Sequence, residues 1–419
     1  MIALTNIRLY DYETYIDHGY LIFDHGEIVD VGRMEDFESC KNCIDGEGSF
    51  LLPGFINFHT HMYSSFARGF DFKSDAKSFR EMLQKVWWRL DRNLTLEDVY
   101  WSAVAHGQEL LLKGVVGVMD HHASGEILGS TKAVEKAIKD MGLHGSTCFE
   151  VSDRFDTGHA IEENRMHLSK YGGFLGLHAS MTLGDSTLKK IVESIASAPI
   201  HCHIAESLED QTAFALSPVE RLRMNGLLVK DSLLAHCVHI TELDAKIIKE
   251  SGCTVVANVR SNQNNGVGTV DYELLNRYGV PVVVGTDGLG ADVAKSWQEL
   301  YYSEKAKGGP SAQAMTLKKL KDEIRNSYRY YETITGLKLG KFDKGYRFDA
   351  VLLDYSASSP VTDENVFSHV FYGIYDDLSI IKMWNGGNLL VDHHKLVREQ
   401  KIPKTIVGNL WQRIEAEHE

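Results

Sequence analysis

A chain of 419 residues with 43% hydrophobic and 24% charged side chains, 36 glycines and 7 prolines has the composition of a compact enzyme and excludes fibrous or disordered classes. Its 44 basic against 58 acidic side chains give a net charge of −14, which excludes nucleic acid or an anionic membrane as main partner and leaves a small-molecule substrate. Met1 to Tyr10 lacks an export signal and no run of about 18 apolar residues occurs, so the expected location is the cytoplasm.

In chain order, residues 1–53 read as short alternating strands such as 2–9 and 20–23, with a turn at Asp24–Gly26. Cys40 and Cys43 form a lone CxxC without the second pair that a structural zinc site needs, and the remaining cysteines are scattered like reduced thiols. A strand at 54–61 precedes a long insertion, 62–113, whose amphipathic stretch 76–90 and flank carry Trp87, Trp88, Arg89 and Asp91. That length makes it a candidate lid, with Trp88 either touching substrate or packing the helix down.

From Gly114 onward, short β-branched runs alternate with amphipathic helical stretches: 114–122, 143–150, 174–180, 200–206, 233–239, 254–261 and 280–287. With 54–61 these make eight βα units, the number a (β/α)₈ TIM-type barrel needs, so the fold class is α/β with the barrel over 54–339. Residues 340–393 resemble the N-terminal segment, with strands at 349–354 and 379–384 and a turn at Asn385–Gly387. The two ends, 1–53 and 340–400, are expected to form a small composite β-sandwich, and 401–419 a helical tail.

Nearly every barrel strand ends in polar residues, where barrel enzymes build their sites. His59 and His61 lie two apart and so project to one face of their strand, where two imidazoles can share a metal. His203 in His201-Cys202-His203 supplies a third nitrogen, and Asp287, closing an apolar run in Gly285-Thr286-Asp287, is a costly carboxylate unless paired with a cation. One divalent metal is expected on His59, His61, His203 and Asp287: zinc, with iron as the alternative. Glu206 just beyond His203 suits proton shuttling between water, substrate nitrogen and leaving group, while His236 suits holding the attacking hydroxide. His201 reads as structural and His239 as a loop histidine. The remaining strand-end residues are candidate substrate contacts or loop caps: His121, His122, Glu150, Arg154, His178, Asn258, Ser261 and Asn262.

With these motifs assembled, the chain resembles the amidohydrolase superfamily in its cytosine-deaminase and chlorohydrolase-like branch, from residue 1 to about 395. More narrowly, VWWRLDR (86–92), DHHAS (120–124), TCFEVSDR (147–154), RSNQNNGVG (260–268) and GTDGLGADV (285–293) look like SsnA-type aminohydrolases. The resemblance implies the same four ligands, with Glu206 as proton shuttle, His236 as hydroxide-orienting group and Asp287 or His236 accepting the proton of water. Related deaminases usually carry His-Asn-Pro at the end of the seventh strand, where this chain reads Ala257-Asn258-Val259. Binuclear members carry a carbamylated lysine on strand four, where this chain has His178, which favours one metal.

The resulting expectation is hydrolytic deamination of a small purine-, pyrimidine- or pterin-like heterocycle. The alternatives are hydrolysis of a cyclic amide or carbon–halogen bond, or a non-catalytic metal-binding barrel that serves as an assembly partner. A homodimer is the default assembly.

Overall fold

The computed structural model describes residues 1–195, 197–309 and 314–417. The N-terminal strands are β1 (Ile2–Tyr10), β2 (Tyr15–Asp24), β3 (Glu27–Arg33), β4 (Cys43–Asp45) and β5 (Phe50–Pro53). Next come β6 (Phe55–Thr60), β7 (Val115–Asp120), β8 (His144–Ser146), β9 (Leu175–Ala179), β10 (Ile200–Ile204), β11 (Leu233–His236), β12 (Thr254–Ala257) and β13 (Val282–Val284). The last are β14 (Ala350–Leu353), β15 (Ile380–Asn385), β16 (Asn388–Asp392) and β17 (Lys395–Leu396).

The chain divides into two compact units, one of Met1–Ile56, Gln108–Gly117 and Ala291–Glu399, the other of Asn57–Gly107, Val118–Gly290 and Gln400–Glu419. In the first, both ends of the chain join one nine-stranded sheet ordered β17-β16-β15-β14-β5-β1-β2-β3, with β4 on β1. The join is the antiparallel pair β5–β14, with Val351 opposite Leu52 and Leu352 opposite Leu51. Alternating apolar residues of these strands bury Leu4, Leu21, Leu51 and Trp384 around Phe348, whose ring stacks on Phe23 at 4.1 Å.

The fold is mixed α/β. β13-β12-β11-β10-β9 form a parallel sheet, and β6-β7-β8 form a separate three-stranded sheet. β9 to β13 are buried along their whole length, which explains their near-continuous apolar sequences. Isolated parallel bridges join Thr60 to Asp287 and Val151 to Leu177. Gly285 makes the first approach possible, because a Cβ there would lie 2.6 Å from the His59 carbonyl oxygen and 2.5 Å from Asn258 Oδ1.

Several strands stop earlier than their sequences suggest, two of them by four residues. The run expected at 254–261 ends at Ala257, because Asn258 leaves the extended conformation and the Ser- and Asn-rich stretch turns into a helix, Val259–Asn264. The run expected at 143–150 is strand only over His144–Ser146, with a single bridge from Phe149 to His122 beyond it.

In the 62–113 insertion, Ser78 caps a helix over Phe79–Met82, which continues as a π-helical turn, Leu83–Trp87, and a further helix, Trp88–Asn93. The helix Lys404–Ala416 fastens onto it: Arg89 Nη2 donates to Ile414 O at 2.7 Å, and Trp411 Nε1 donates to Phe66 O at 2.9 Å. No helix among the described residues is long and apolar enough to cross a membrane.

Candidate active site and metal centre

The ends of β6, β10, β11 and β13 bring their polar residues together. The ring centroids of His59, His61 and His203 lie 5.0 to 5.3 Å from one another. Each of the sets His59–His61–Asp287, His59–His203–His236 and Glu206–His236–Asp287 places three donor atoms within 4.8 Å of one another. Asp287 Oδ1 is 3.1 Å from His61 Nε2 and 3.8 Å from His59 Nε2.

The supporting bonds turn these donors inward. His61 Nδ1 donates to the His121 carbonyl at 2.6 Å, which aims Nε2 at the centre beside Asp287, and His59 Nδ1 pairs with His201 Nε2 at 2.8 Å. Backbone N–H groups of Thr286 and Asp287 donate to the His59 carbonyl at 3.0 and 2.9 Å, locking β6 to the turn after β13. His59 Nε2 and His203 Nε2 are buried without a hydrogen-bond partner. Leaving such an atom unsatisfied costs about 1–3 kcal/mol, and a metal relieves two at once. Three imidazole nitrogens and one carboxylate oxygen therefore fit a divalent ion such as Zn²⁺ or Fe²⁺.

Electrostatics agree with a site built for a cation. Burial, then neighbouring imidazoles, hold His59 and His203 well below the usual histidine range, so both offer lone pairs. Burial opposes charge on His61 too, but the Asp287 carboxylate overrides it and raises His61 to about 9. Burial likewise opposes charge on Asp287, yet His61, His236 and Ser261 outweigh it and hold the carboxyl below its ordinary range.

The short helix Val259–Asn264 and its C-cap orient three groups at once. Ser261 Oγ donates to Asp287 Oδ2 at 2.6 Å, Asn262 Nδ2 to His236 Nδ1 at 2.9 Å, and Asn265 Nδ2 to Glu206 Oε1 at 3.1 Å. Because His236 Nδ1 accepts, its proton sits on Nε2, 3.5 Å from Glu206 Oε2 and 3.9 Å from Asp287 Oδ2. Burial lowers His236 to about 4, while burial and then the Asp287 charge raise Glu206 well above the usual carboxylate range. Four non-glycine residues here take left-handed backbone: Ala205 (φ 45°), His236 (φ 73°), Cys237 (φ 52°) and Asp287 (φ 54°). Such conformations are held only where surrounding bonds over-determine them.

A cleft of about 660 Å³ opens over this centre, with Phe79, Leu83, Trp87 and Trp88 of the insertion on one side. Glu150 and His178 line it, and Arg154 stands behind, with Nη1 3.1 Å from Asp91 Oδ2 and Nη2 bonded to Glu150 Oε1. Burial, moderated by Arg154, raises Glu150 to about 7.

The other sequence candidates lie deeper. His121 is fully buried, with Nε2 donating to the Leu177 and His201 carbonyls at 3.1 Å each, and His122 is buried against Ser124 Oγ at 3.1 Å. Asn258 and Asn262 are buried beside His236. His201 sits under His59, and His239 bonds the Val267 carbonyl at 2.8 Å.

Three contributors carried no signal of their own in the sequence. Asp210 lines the cleft and accepts from the Met181 and Ala205 N–H groups at 2.8 Å. Asp120 accepts from Met62 N–H at 2.8 Å and Thr147 Oγ1 at 2.6 Å. Asn265 holds Glu206. An Asp at a strand end or three residues after a helix-capping Ser was the available cue, and it is common to many loops.

Residues 50–390 match the model of the Amidohydrolase family. The chain is 26% identical over 411 residues to a 5-methylthioadenosine/S-adenosylhomocysteine deaminase of Halothermothrix orenii, covering 92% of this chain and 93% of that protein. It is 26% identical over 404 residues to a 5'-deoxyadenosine deaminase of Methanocaldococcus jannaschii, covering 90% and 93%. Among solved structures, an adenosine deaminase from Xanthomonas campestris with bound zinc aligns with a TM-score of 0.82 at 19% identity, over 99% of this chain and 98% of that one. The family match spans most of the sequence, and the chain belongs to the amidohydrolase family, a hydrolase acting on carbon–nitrogen bonds.

Proposed function

We propose that this chain is a metal-dependent aminohydrolase that removes the amino group of a small N-heterocycle of purine, pyrimidine or pterin type as ammonia. One observation carries the reading: Glu206, His236 and Asp287 converge within 4.8 Å at an open cleft, directly beside the unpartnered nitrogens of His59 and His203. His59, His61, His203 and Asp287 would hold the ion, zinc in the first place and iron as alternative. When bound, the ion supplies the Lewis acidity that makes water nucleophilic near neutral pH.

The chain's own groups do the rest. Asp287 accepts the proton of the attacking water as oxygen bonds to the amino-bearing ring carbon, while the neutral His236 orients that water. Glu206, anchored by Asn265, delivers its proton to the adjacent ring nitrogen, regains one from the hydroxyl of the added water and passes it to the departing amine, so the C–N bond breaks with ammonia as leaving group and the proton held by Asp287 restores Glu206. The His236 Nε2–H faces the developing negative charge. Trp87 and Trp88 offer flat apolar surface to a heterocycle and keep bulk water out. Buried His121 and His201 act as positioning groups for His61 and His59, and Glu150, His178 and Arg154 shape the far wall.

On the same reading, β6 to β13 are the strands of one closed barrel, and the Thr60–Asp287 and Val151–Leu177 bridges support its closure. The chain would divide into a composite terminal domain, 1–53 and 340–400, a barrel over 54–339 and a helical tail over 401–419.

The test is Glu206→Gln, with metal content measured beside ammonia release. The expected outcome is an unchanged metal stoichiometry and a kcat lower by ~1,000-fold. Retained turnover with intact metal would remove the proton shuttle from the scheme.

A further inference from the structure

The cleft has an unbalanced wall. Asp91, Glu150, Glu206, Asp210 and Asp287 line it, and among the described residues no lysine or arginine does. Glu150 is no distant rim residue, for its carboxylate oxygen lies within 4.8 Å of nitrogens of both His178 and His203. The nearest guanidinium, Arg154, is engaged on both forks, by Asp91 at 3.1 Å and by Glu150, and is sandwiched 4.8 Å from the ring centres of Trp88 and Phe155. Other cations near the cleft are also held: Arg221 by Ser180, Leu183 and Asp185, and Arg80 by Glu209.

We infer that the cleft takes an uncharged or cationic amino-heterocycle and rejects one bearing a phosphate or carboxylate, because beyond the metal-ligand set Asp91, Glu150 and Asp210 line it, no described lysine or arginine does, and the adjacent Arg154 guanidinium is already paired with Asp91 and Glu150. Away from the ion that His59, His61, His203 and Asp287 would hold, an anionic group entering here would lose its hydration and find no counter-ion without breaking the Asp91–Arg154–Glu150 cluster. Like charges brought together in such a setting disfavour binding by ~100-fold or more. The inference rests on the aminohydrolase reading for the ring chemistry and adds the charge class of the substrate.

The experiment uses the metal-loaded full chain and pairs of probes that differ by one anionic group: adenosine against adenosine monophosphate, and pterin against pterin carboxylate. Ammonia release gives kcat/KM for each, and calorimetric binding to the Glu206→Gln protein reads the charge preference without turnover. The expected result is that the uncharged member of at least one pair binds and reacts, with its anionic partner weaker by ~100-fold. Equal or tighter binding of the anionic member overturns the inference, as does failure of every uncharged probe to bind. Binding of uncharged probes with no ammonia from any of them instead sinks the aminohydrolase reading and leaves the charge preference standing.

A second arm tests the cluster. Asp91→Asn combined with Glu150→Gln frees the Arg154 guanidinium and should shift the anionic-to-uncharged binding ratio upward by ~10-fold or more. An unchanged ratio in the folded protein overturns the assignment to these carboxylates. Glu150→Gln alone, which preserves side-chain volume, carries the same test should the double variant fail to fold.

Discussion

Around Phe348 and Trp384 the nine-stranded sheet buries side chains whose only requirement is close contact, whereas the ends of β10, β11 and β13 bury imidazoles and carboxylates on left-handed backbone. The first region follows every local rule: alternation, apolar burial and stacked rings. The second breaks several, with unpartnered nitrogens, like charges in proximity and strained dihedrals. The contrast teaches where each property is held, since a stable fold tolerates costly local geometry only where other regions supply the margin.

Substitutions can sharpen or break that contrast. The Glu206→Gln exchange should give the largest effect, ~1,000-fold on kcat, with almost none on melting. Phe348→Ala should do the reverse, costing about 3–5 kcal/mol in denaturant unfolding while kcat per folded, metal-loaded molecule stays the same. A large kcat loss from Phe348→Ala would erase the distinction between the two regions.

Asn262→Ala tests the polar region from beneath. It removes the donor that fixes the His236 tautomer, so kcat should fall by ~10- to 100-fold with KM nearly unchanged. Asn262→Ser, which keeps a short donor, should recover part of the loss. A change in KM alone would reassign Asn262 to substrate contact.

Glu135 shows that burying a charge has a cost away from the site as well. Burial raises its carboxyl to about 7 from an ordinary 4.5, partly offset by the Thr147 N–H, and the nearby His167 is itself lowered to about 4 by burial. The native state therefore keeps this proton where the unfolded chain has released it, so stability falls as pH rises from about 4.5 to about 7. Glu135→Gln should be more stable by about 2 kcal/mol at pH 8, allowing for its partial exposure, and the advantage should vanish below pH of about 4.5. An advantage independent of pH would contradict this origin.

The smallest expected effect comes from Ala205→Gly. Relieving a non-glycine residue at φ 45° should raise unfolding free energy by about 1 kcal/mol, the reverse of the usual cost of glycine in ordered structure. No gain would mean that the conformation carries no strain.

Much of the site was legible because its residues are tied to short, strongly patterned runs. His59 and His61 share a face by strand periodicity, and His203, His236 and Asp287 each close an apolar run. The parallel strands were likewise visible as β-branched segments, and in the structure the N- and C-terminal strands pair across β5 and β14. What escaped was set by distant partners. The helix after β12 was read as continued strand, because apolar Val255 and Val256 run straight into it and only the turn at Asn258 ends the extension. Asp91 and Arg154 stand 63 residues apart in sequence, and nothing in either segment announces their pairing. Glu206 could be placed beside the site from its position after His203, but the amide that anchors it, Asn265, lies 59 residues further on.

The left-handed backbone at His236 and Asp287 limits which replacements these positions can sample. β-Branched residues clash in that conformation, while Asn, Asp, His and Gly enter it at lower cost. A randomised library at these two codons should thus return folded clones concentrated in a few residue types. Catalytic repertoire there is filtered by dihedral geometry before chemistry has any say.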